Sequence, residues 1–180
     1  MIGFRLQLKK LSDGRLILTI PVGYKILLLG IGLLILISLI VTRAEGGGGI
    51  FIRKNTIPLI ICLVSLLGAA YHERWIFDRP DGRVIHQNGL IVFHSNKVYG
   101  IEDLDRVEVS QFIRGGPGSA KLSKRNVFIR PLLSLSLCRK NGDVYRLEIY
   151  SRFQGSRAEN TARAIAEYCG ISYTNQTGNE

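Results

Sequence analysis

Two long apolar runs dominate the first half of the chain. Residues Ile26 to Thr42 read ILLLGIGLLILISLIVT and Thr56 to Tyr71 read TIPLIICLVSLLGAAY, without a charged residue in either run. At about 1.5 Å rise per residue, each run approaches the roughly 30 Å hydrocarbon core of a bilayer. Both are apolar on all sides rather than amphipathic. The pattern predicts a transmembrane helical hairpin over residues 23–73, with spans at 26–42 and 56–71.

The residues before the first run alternate between apolar and polar side chains. Phe4, Leu6 and Leu8 alternate with basic and amide residues, and the alternation resumes after Asp13-Gly14. A period of two around a turn dipeptide predicts a β-hairpin over residues 1–22. An interfacial amphipathic helix is the competing interpretation, and the strict alternation and Gly14 disfavour it.

The chain after Tyr71 has the pattern of short strands joined by tight turns. Turn signals stand at Pro80-Asp81-Gly82, Asn88-Gly89, Ser95-Asn96 and Asn141-Gly142. The predicted strands are Arg74 to Arg79, Arg83 to Gln87, Leu90 to His94, Lys97 to Ile101, Asp105 to Ile113, Asn126 to Lys140 and Asp143 to Ser151.

One amphipathic helix is predicted after the strands. Ser156 and Glu159 have the spacing of a capping box, and Gly170 stands where a helix would end. The apolar positions recur at helical spacing, at Ala158, Ala162, Ile165 and Cys169. Residues 74–170 are therefore predicted as one domain, and residues 171–180 as a flexible polar tail.

The whole arrangement resembles a known class of membrane protein. The resemblance rests on Phe77-Asp78-Arg79-x-x-Gly82-x-Val84, on IEDLDRVEV, on the CRKNGDVYRLEIY hairpin and on the terminal helix. The chain resembles bacterial two-span membrane proteins with a pleckstrin-homology-like domain, and its layout is similar to that of the photosystem I assembly factors of cyanobacteria and chloroplasts. The resemblance implies an α+β membrane protein: a two-helix transmembrane hairpin, then a PH-like seven-stranded antiparallel barrel with one C-terminal helix.

Charge places the chain relative to the predicted membrane. The chain carries 24 Lys and Arg against 14 Asp and Glu, a net charge of +10. Most of the excess flanks the apolar runs, and the remainder is too weakly basic to indicate nucleic acid binding. Basic flanks outside the predicted hairpin predict a multi-pass protein of a cell inner membrane or thylakoid-like membrane, with both termini cytoplasmic.

The stretch Arg114 to Arg125, RGGPGSAKLSKR, is the strongest candidate for binding chemistry. It is not a phosphate-binding loop, because Ala120 and Leu122 occupy positions that such a loop reserves for glycine and a hydroxyl residue. The candidates for lipid or partner contact are Arg114, Lys121, Lys124 and Arg125. A solvated basic loop is the alternative.

Other residue types offer no recognisable catalytic or metal-binding motif. The histidines are not at metal-ligand spacing, and the acidic residues 102–108 are typical of a solvated turn and strand face. Cysteines 62, 138 and 169 show no disulfide or zinc spacing. No cofactor and no metal are expected.

Three function classes follow from these patterns. The sequence favours a non-enzymatic membrane-anchored scaffold or assembly factor that binds a protein partner at the cytoplasmic membrane surface. An anionic-lipid sensor is the alternative, and the resemblance adds a photosystem I assembly-type factor. An enzyme is not expected.

Overall fold

A computed structural model describes residues 6–44, 55–90, 93–112 and 132–177. These residues form two β-sheets and three α-helices, with a short 3-10 helix at Arg152–Gln154. The helices are α1 (Val22–Ala44), α2 (Thr56–Ala70) and α3 (Gly155–Cys169). The strands are β1 (Gln7–Lys10), β2 (Leu16–Thr19), β3 (Tyr71–Asp78), β4 (Arg83–Leu90), β5 (His94–Gly100), β6 (Leu104–Phe112), β7 (Leu132–Arg139), β8 (Val144–Ser151) and β9 (Ser172–Gln176).

The first sheet is antiparallel and has the order β1-β2-β3-β4-β5. Strand β2, which precedes α1, pairs with β3, which follows α2, and Leu18 lies opposite Trp75. The expected N-terminal hairpin is therefore present, and it is part of a larger sheet. This pairing brings the two ends of the helical segment to the same sheet.

The second sheet has the order β8-β7-β6-β9. Strands β6, β7 and β8 are antiparallel, whereas β9 lies parallel to β6. The flexible tail predicted over residues 171–180 is wrong for Ser172–Gln176, which form β9. The reason is that the β6 edge still offers unpaired backbone groups, which outweigh the polar character of the tail.

One hydrophobic core lies between the two sheets and α3. The alternate leucines of β7 point into it, as Leu135 and Leu137 are fully buried. From α3 the core receives the predicted apolar positions, and Ala158, Ala162 and Ile165 have no exposed surface. The helix ends at Gly170, as expected, in the left-handed conformation at φ 72°.

The predicted fold class is wrong in two respects, although the chain is an α+β protein. The first concerns the barrel, since nine strands in two sheets replace a seven-stranded PH-like barrel in the described residues. The N-terminal hairpin and β9 add three strands to the six that lie between Tyr71 and Ser151. Local pattern predicted the hairpin itself, but its pairing with β3 and the pairing of β9 with β6 join distant parts of the chain, so local pattern did not reveal them.

The second respect concerns the transmembrane hairpin. Within the described residues, one helix is long and apolar enough to cross a membrane, from Val22 to Thr42. The second apolar run forms α2, which has 15 residues. At 1.5 Å per residue this is about 22 Å, short of a roughly 30 Å hydrocarbon core.

Two local turn and cap predictions are also wrong. Asn88-Gly89 lies inside β4, and the chain reverses between Leu90 and Phe93. Helix α3 begins at Gly155 and its N-cap Gln154 makes no side-chain cap hydrogen bond. Instead, the Glu159 carboxylate accepts a hydrogen bond from Asn175 in β9 at 2.9 Å.

The Phe77-Asp78 motif serves to attach the N-terminal hairpin. Phe77 lies in the core, and the Asp78 carboxylate, which is 4 % exposed, accepts the Arg15 Nε–H at 2.9 Å. A second attachment joins Leu6 to the opposite sheet, where its N–H donates to the buried Glu148 carboxylate at 2.9 Å. Residues before α1 are thus bonded to both sheets.

We expect Ile165→Asp to destabilise the domain by about 3–5 kcal/mol. The substitution removes core packing and buries an unpaired carboxylate. Asn160→Asp is the matched control, because it introduces the same side chain at an exposed position of α3. Thermal unfolding in detergent should show a large loss for the first variant and little change for the second, and equal melting temperatures would contradict the packing of α3.

Candidate functional site at the helix–sheet junction

The start of α1 and the end of α2 both lie at one end of the first sheet. Helix α1 begins shortly after β2, and α2 ends directly before β3. The Ile20 N–H and the Thr19 hydroxyl both donate to the Glu73 carbonyl, at 3.4 and 3.5 Å. We call this end of the sheet, where residues 19–25 meet residues 70–74, the junction.

A lysine and a histidine meet across the junction. Lys25 Nζ lies 3.0 Å from His72 Nδ1, so the ammonium donates to the neutral ring. Burial lowers the pKa of His72 from its usual value, and the nearby charges of Lys25, Arg74 and His94 lower it further. The ring therefore favours its neutral form and holds the start of α1 against β3.

One carboxylate lies among these basic groups. Glu73 Oε2 accepts from the Tyr71 hydroxyl at 3.5 Å, and Glu73 Oε1 lies 3.9 Å from His86 Nε2. Burial, and then the Glu73 charge, raise the pKa of Tyr71. Arg74 donates to the Gln87 side chain. The junction thus carries more basic groups than acidic ones, which suits contact with anionic groups.

The β4–β5 hairpin ends at the same level as the junction. Tyr71 is paired with Leu90, and His72 is paired with Gly89, which is in turn paired with His94. Phe93 lies at this end with 79 % of its surface exposed. An exposed aromatic side chain therefore lies beside the start of β3.

The residues predicted for lipid or partner contact cannot be placed at this site. Arg114, Lys121, Lys124 and Arg125 lie outside the described residues, as does the whole stretch from Arg114 to Arg125. Their role stays a prediction.

The acidic residues around β6 are distributed over separate ion pairs. Asp103 contacts Arg139 at 3.1 Å, while Asp105 and Glu108 contact Arg106 at 2.6 and 3.2 Å. Asp105 and Glu108 share Arg106 on the same strand, whereas Asp103 is bonded to Arg139 of β7. Each of these carboxylates is therefore held in an ion pair.

The three cysteines and His86 occupy packed positions. Cys138 and Cys169 are buried, and burial raises the pKa of both thiols, that of Cys169 to about 12. His86 stacks on Trp75 with ring centroids 3.9 Å apart. Among the described residues there is no cluster of three His, Cys, Asp or Glu side chains suited to a metal ion.

Sequence reasoning missed the junction as a site. Its residues come from the end of β2, the start of α1, the start of β3 and the β4–β5 end, which only the sheet register brings together. One signal was present: the sequence of residues 90–93 is LIVF, which lacks the Gly, Pro, Asn and Asp typical of tight turns. A run of four apolar residues where a polar turn is expected is unusual unless it serves a function.

Comparison with known proteins adds no family assignment. No protein-family model matches the chain, and no curated protein is significantly similar to it. The resemblance to PH-like membrane proteins and to photosystem I assembly factors therefore stays a prediction.

We expect the Lys25–His72 contact to weaken in acid. Because the folded pKa of His72 is lowered, its contribution to stability is fully present above the ordinary histidine pKa of about 6.5 and is lost as pH falls through the lowered value. His72→Asn places an amide oxygen near the position of Nδ1, where it can accept from Lys25 without titrating.

Melting temperatures between pH 4 and pH 8 check this expectation. The unchanged chain should lose stability below about pH 6.5, and His72→Asn should lose less. His94→Asn is the control for removing an exposed histidine. Because His94 makes the smallest contribution to the lowered pKa of His72, this variant should lose nearly as much stability in acid as the unchanged chain. Identical acid slopes for the unchanged chain and His72→Asn would show that the contact does not contribute.

Proposed function

We propose that the protein is a non-enzymatic scaffold, anchored in a membrane by α1 with α2 packed against it. The two-sheet domain is held at the membrane surface, where it binds a protein partner. The proposal rests on the exposed apolar surface of α1 and α2. It also rests on the pairing of β3 with β2, which returns the chain after α2 to the sheet that it left before α1.

The apolar surface of α1 lacks a covering element among the described residues. Leu34 is 69 % exposed, Ile26 65 % and Ile37 59 %. Helices α1 and α2 pack closely on each other and have few contacts with the described strands or with α3. Soluble domains rarely expose a continuous apolar surface of this extent, so lipid is the fitting environment.

Small residues allow the two helices to approach closely. A Cβ atom on Gly32 would lie 2.9 Å from the Leu66 side chain, and the Cys62 thiol donates to the Gly32 carbonyl at 3.3 Å. Close contact through glycine and a polar group is typical of helices packed in lipid. Helix α2 therefore accompanies α1 as a packing partner.

The non-enzymatic part of the proposal is supported by how the polar side chains are used. The buried Asp78 and Glu148 carboxylates attach the N-terminal residues, and Asp105 and Glu108 form ion pairs with Arg106 on their own strand, β6. The thiols of Cys138 and Cys169 are buried and, with raised pKa values, are poor nucleophiles. These groups serve stability.

The exposed edge of the first sheet is suited to a protein partner. Strand β5 pairs with β4 on one side, and no described strand pairs with its other side. Most of β5 is exposed, and Val98 is 60 % exposed. An extended segment of a partner can add to such an edge through backbone hydrogen bonds.

The basic residues near the apolar segments favour the cytoplasmic side for the domain. The pairing of β2 with β3 places the N-terminal hairpin in the same sheet as the first strand after the helices. The basic junction also favours contact with anionic lipid as a second property of the domain.

We expect the full chain, reconstituted into liposomes, to float with them and to resist alkaline carbonate extraction. A double variant, Leu34→Lys with Ile37→Lys, should be extracted, because each charge near a helix centre costs about 2.5–3.5 kcal/mol on insertion scales. Val144→Lys is the control, since it changes an exposed valine of β8 that is 62 % exposed. Extraction of the unchanged chain would overturn the membrane anchorage.

We expect a stoichiometric protein partner to copurify with the detergent-solubilised full chain through β5. Val98→Lys should reduce its recovery, because a lysine on an edge strand opposes strand addition. Val144→Lys, which has similar exposure, should retain it. Equal recovery by both variants would exclude the β5 edge, and a hydrolytic or transfer activity of the purified chain would overturn the non-enzymatic assignment.

A further inference from the structure

The end of the β4–β5 hairpin is built without the residues that usually form tight turns. Leu90 and Phe93 exchange two backbone hydrogen bonds, of 2.9 and 3.0 Å, so the chain reverses between them. Gly89, next to Leu90, permits the backbone of β4 to approach Phe93 closely. It has φ 139°, and a Cβ atom there would lie 2.2 Å from the Phe93 carbonyl oxygen. The two hydrogen bonds that join Leu90 and Phe93 use main-chain atoms alone, so they do not require apolar side chains at these positions.

The register fixes the height of this end relative to the helices. Leu90 is paired with Tyr71, the residue that follows the last residue of α2. Phe93 is bonded to Leu90 and therefore lies about two strand spacings, roughly 10 Å, from Tyr71 at the same level. An exposed phenylalanine thus stands beside the place where the apolar helices begin and end.

The groups around this level are those of a membrane–water interface. Tyr24 lies in the first turn of α1 and is 39 % exposed, and Tyr71 follows α2. Lys25, Arg74 and His94 lie close enough to His72 to act on its pKa. Tyrosine with basic residues, at the ends of an apolar helix, is the composition found at the headgroup level of membranes.

We propose that Leu90 and Phe93 form a second membrane contact, in which the Phe93 ring enters the interfacial region of the bilayer beside α1 and α2. This inference rests on the proposed anchorage by α1. A lipid surface is the occupant to which we commit, because the exposed ring is level with the ends of the apolar helices and with the basic groups that suit lipid phosphates. Two contacts on either side of β3 hold the first sheet upright on the membrane.

Tryptophan variants of the full chain in liposomes test the contact. Each variant is measured against the unchanged chain, whose Trp75 is 2 % exposed and supplies a constant background. Phe93→Trp reports on the hairpin end, and Leu34→Trp, about 18 Å along α1 from Val22, reports on the anchor. Val98→Trp is the matched control: Val98 is exposed on β5 and lies opposite Ile85, which is opposite Ile76, about 17 Å from the level of Tyr71.

We expect phospholipids brominated near the headgroup to quench most of the added Phe93→Trp emission, with a shift to shorter wavelength. Phospholipids brominated near the chain ends should quench Leu34→Trp, and neither lipid should quench Val98→Trp. If Leu34→Trp is quenched while Phe93→Trp behaves as Val98→Trp does, the anchorage stands and the second contact is wrong. If Leu34→Trp is not quenched, the proposed anchorage itself fails.

A second variant covers the case in which Phe93→Trp does not fold. Phe93→Cys carrying a nitroxide label should collide more with dissolved oxygen than with a water-soluble nickel complex when the chain is in liposomes. The reverse preference would place Phe93 in water, on a surface open to a protein partner, and would overturn the proposal.

Discussion

The pairing of β2 with β3 joins the part of the chain before α1 to the part after α2. Because Leu18 lies opposite Trp75 and Leu16 opposite Phe77, the pairing also places four large side chains in one core. Arg15 and Asp78 close its far end with an ion pair. The two helices therefore leave the sheet from a single end, and the position of every junction residue follows from this register.

Most charged side chains lie at the edges of the fold, because the interior is almost entirely apolar. The interior between the sheets is filled by leucine, valine and aromatic side chains together with the alanine face of α3. Among the polar groups of the interior, the Glu148 carboxylate accepts from the Leu6 N–H at 2.9 Å and from the Tyr150 hydroxyl at 2.6 Å, whereas the Trp75 indole N–H has no hydrogen-bond partner in the described part of the chain. Within the described ranges, the junction, the edge of β5 and the apolar surface of the helices are open to contact with other molecules.

The sequence revealed what depends on short-range pattern. The N-terminal hairpin, the buried face of α3 and its end at Gly170 follow from periodicity and turn chemistry, and the structure confirms them. The pairing of β2 with β3, and of β9 with β6, depends on which distant edges meet, so the prediction of a seven-stranded barrel was wrong. Asn88-Gly89 was misread because Gly89 serves a close backbone approach within the strand pair, not the turn itself. The junction could not be foreseen, since its parts are distant in sequence, and the basic residues of the Arg114 to Arg125 stretch stay untested.

The bond between Leu6 and Glu148 spans 142 positions of the chain, which has a consequence for the order of assembly during synthesis. Helices α1 and α2 are complete long before β8 leaves the ribosome, so α1 can enter a membrane while the N-terminal strands still lack most of their partners. During that interval the residues next to β1 lack their bond to β8, and β1 is an exposed edge strand. Its Lys9 and Lys10 discourage unwanted strand addition. Folding of the domain then finishes at the membrane surface, when the Leu6 N–H bonds to Glu148 of β8, one of the last strands to be synthesised.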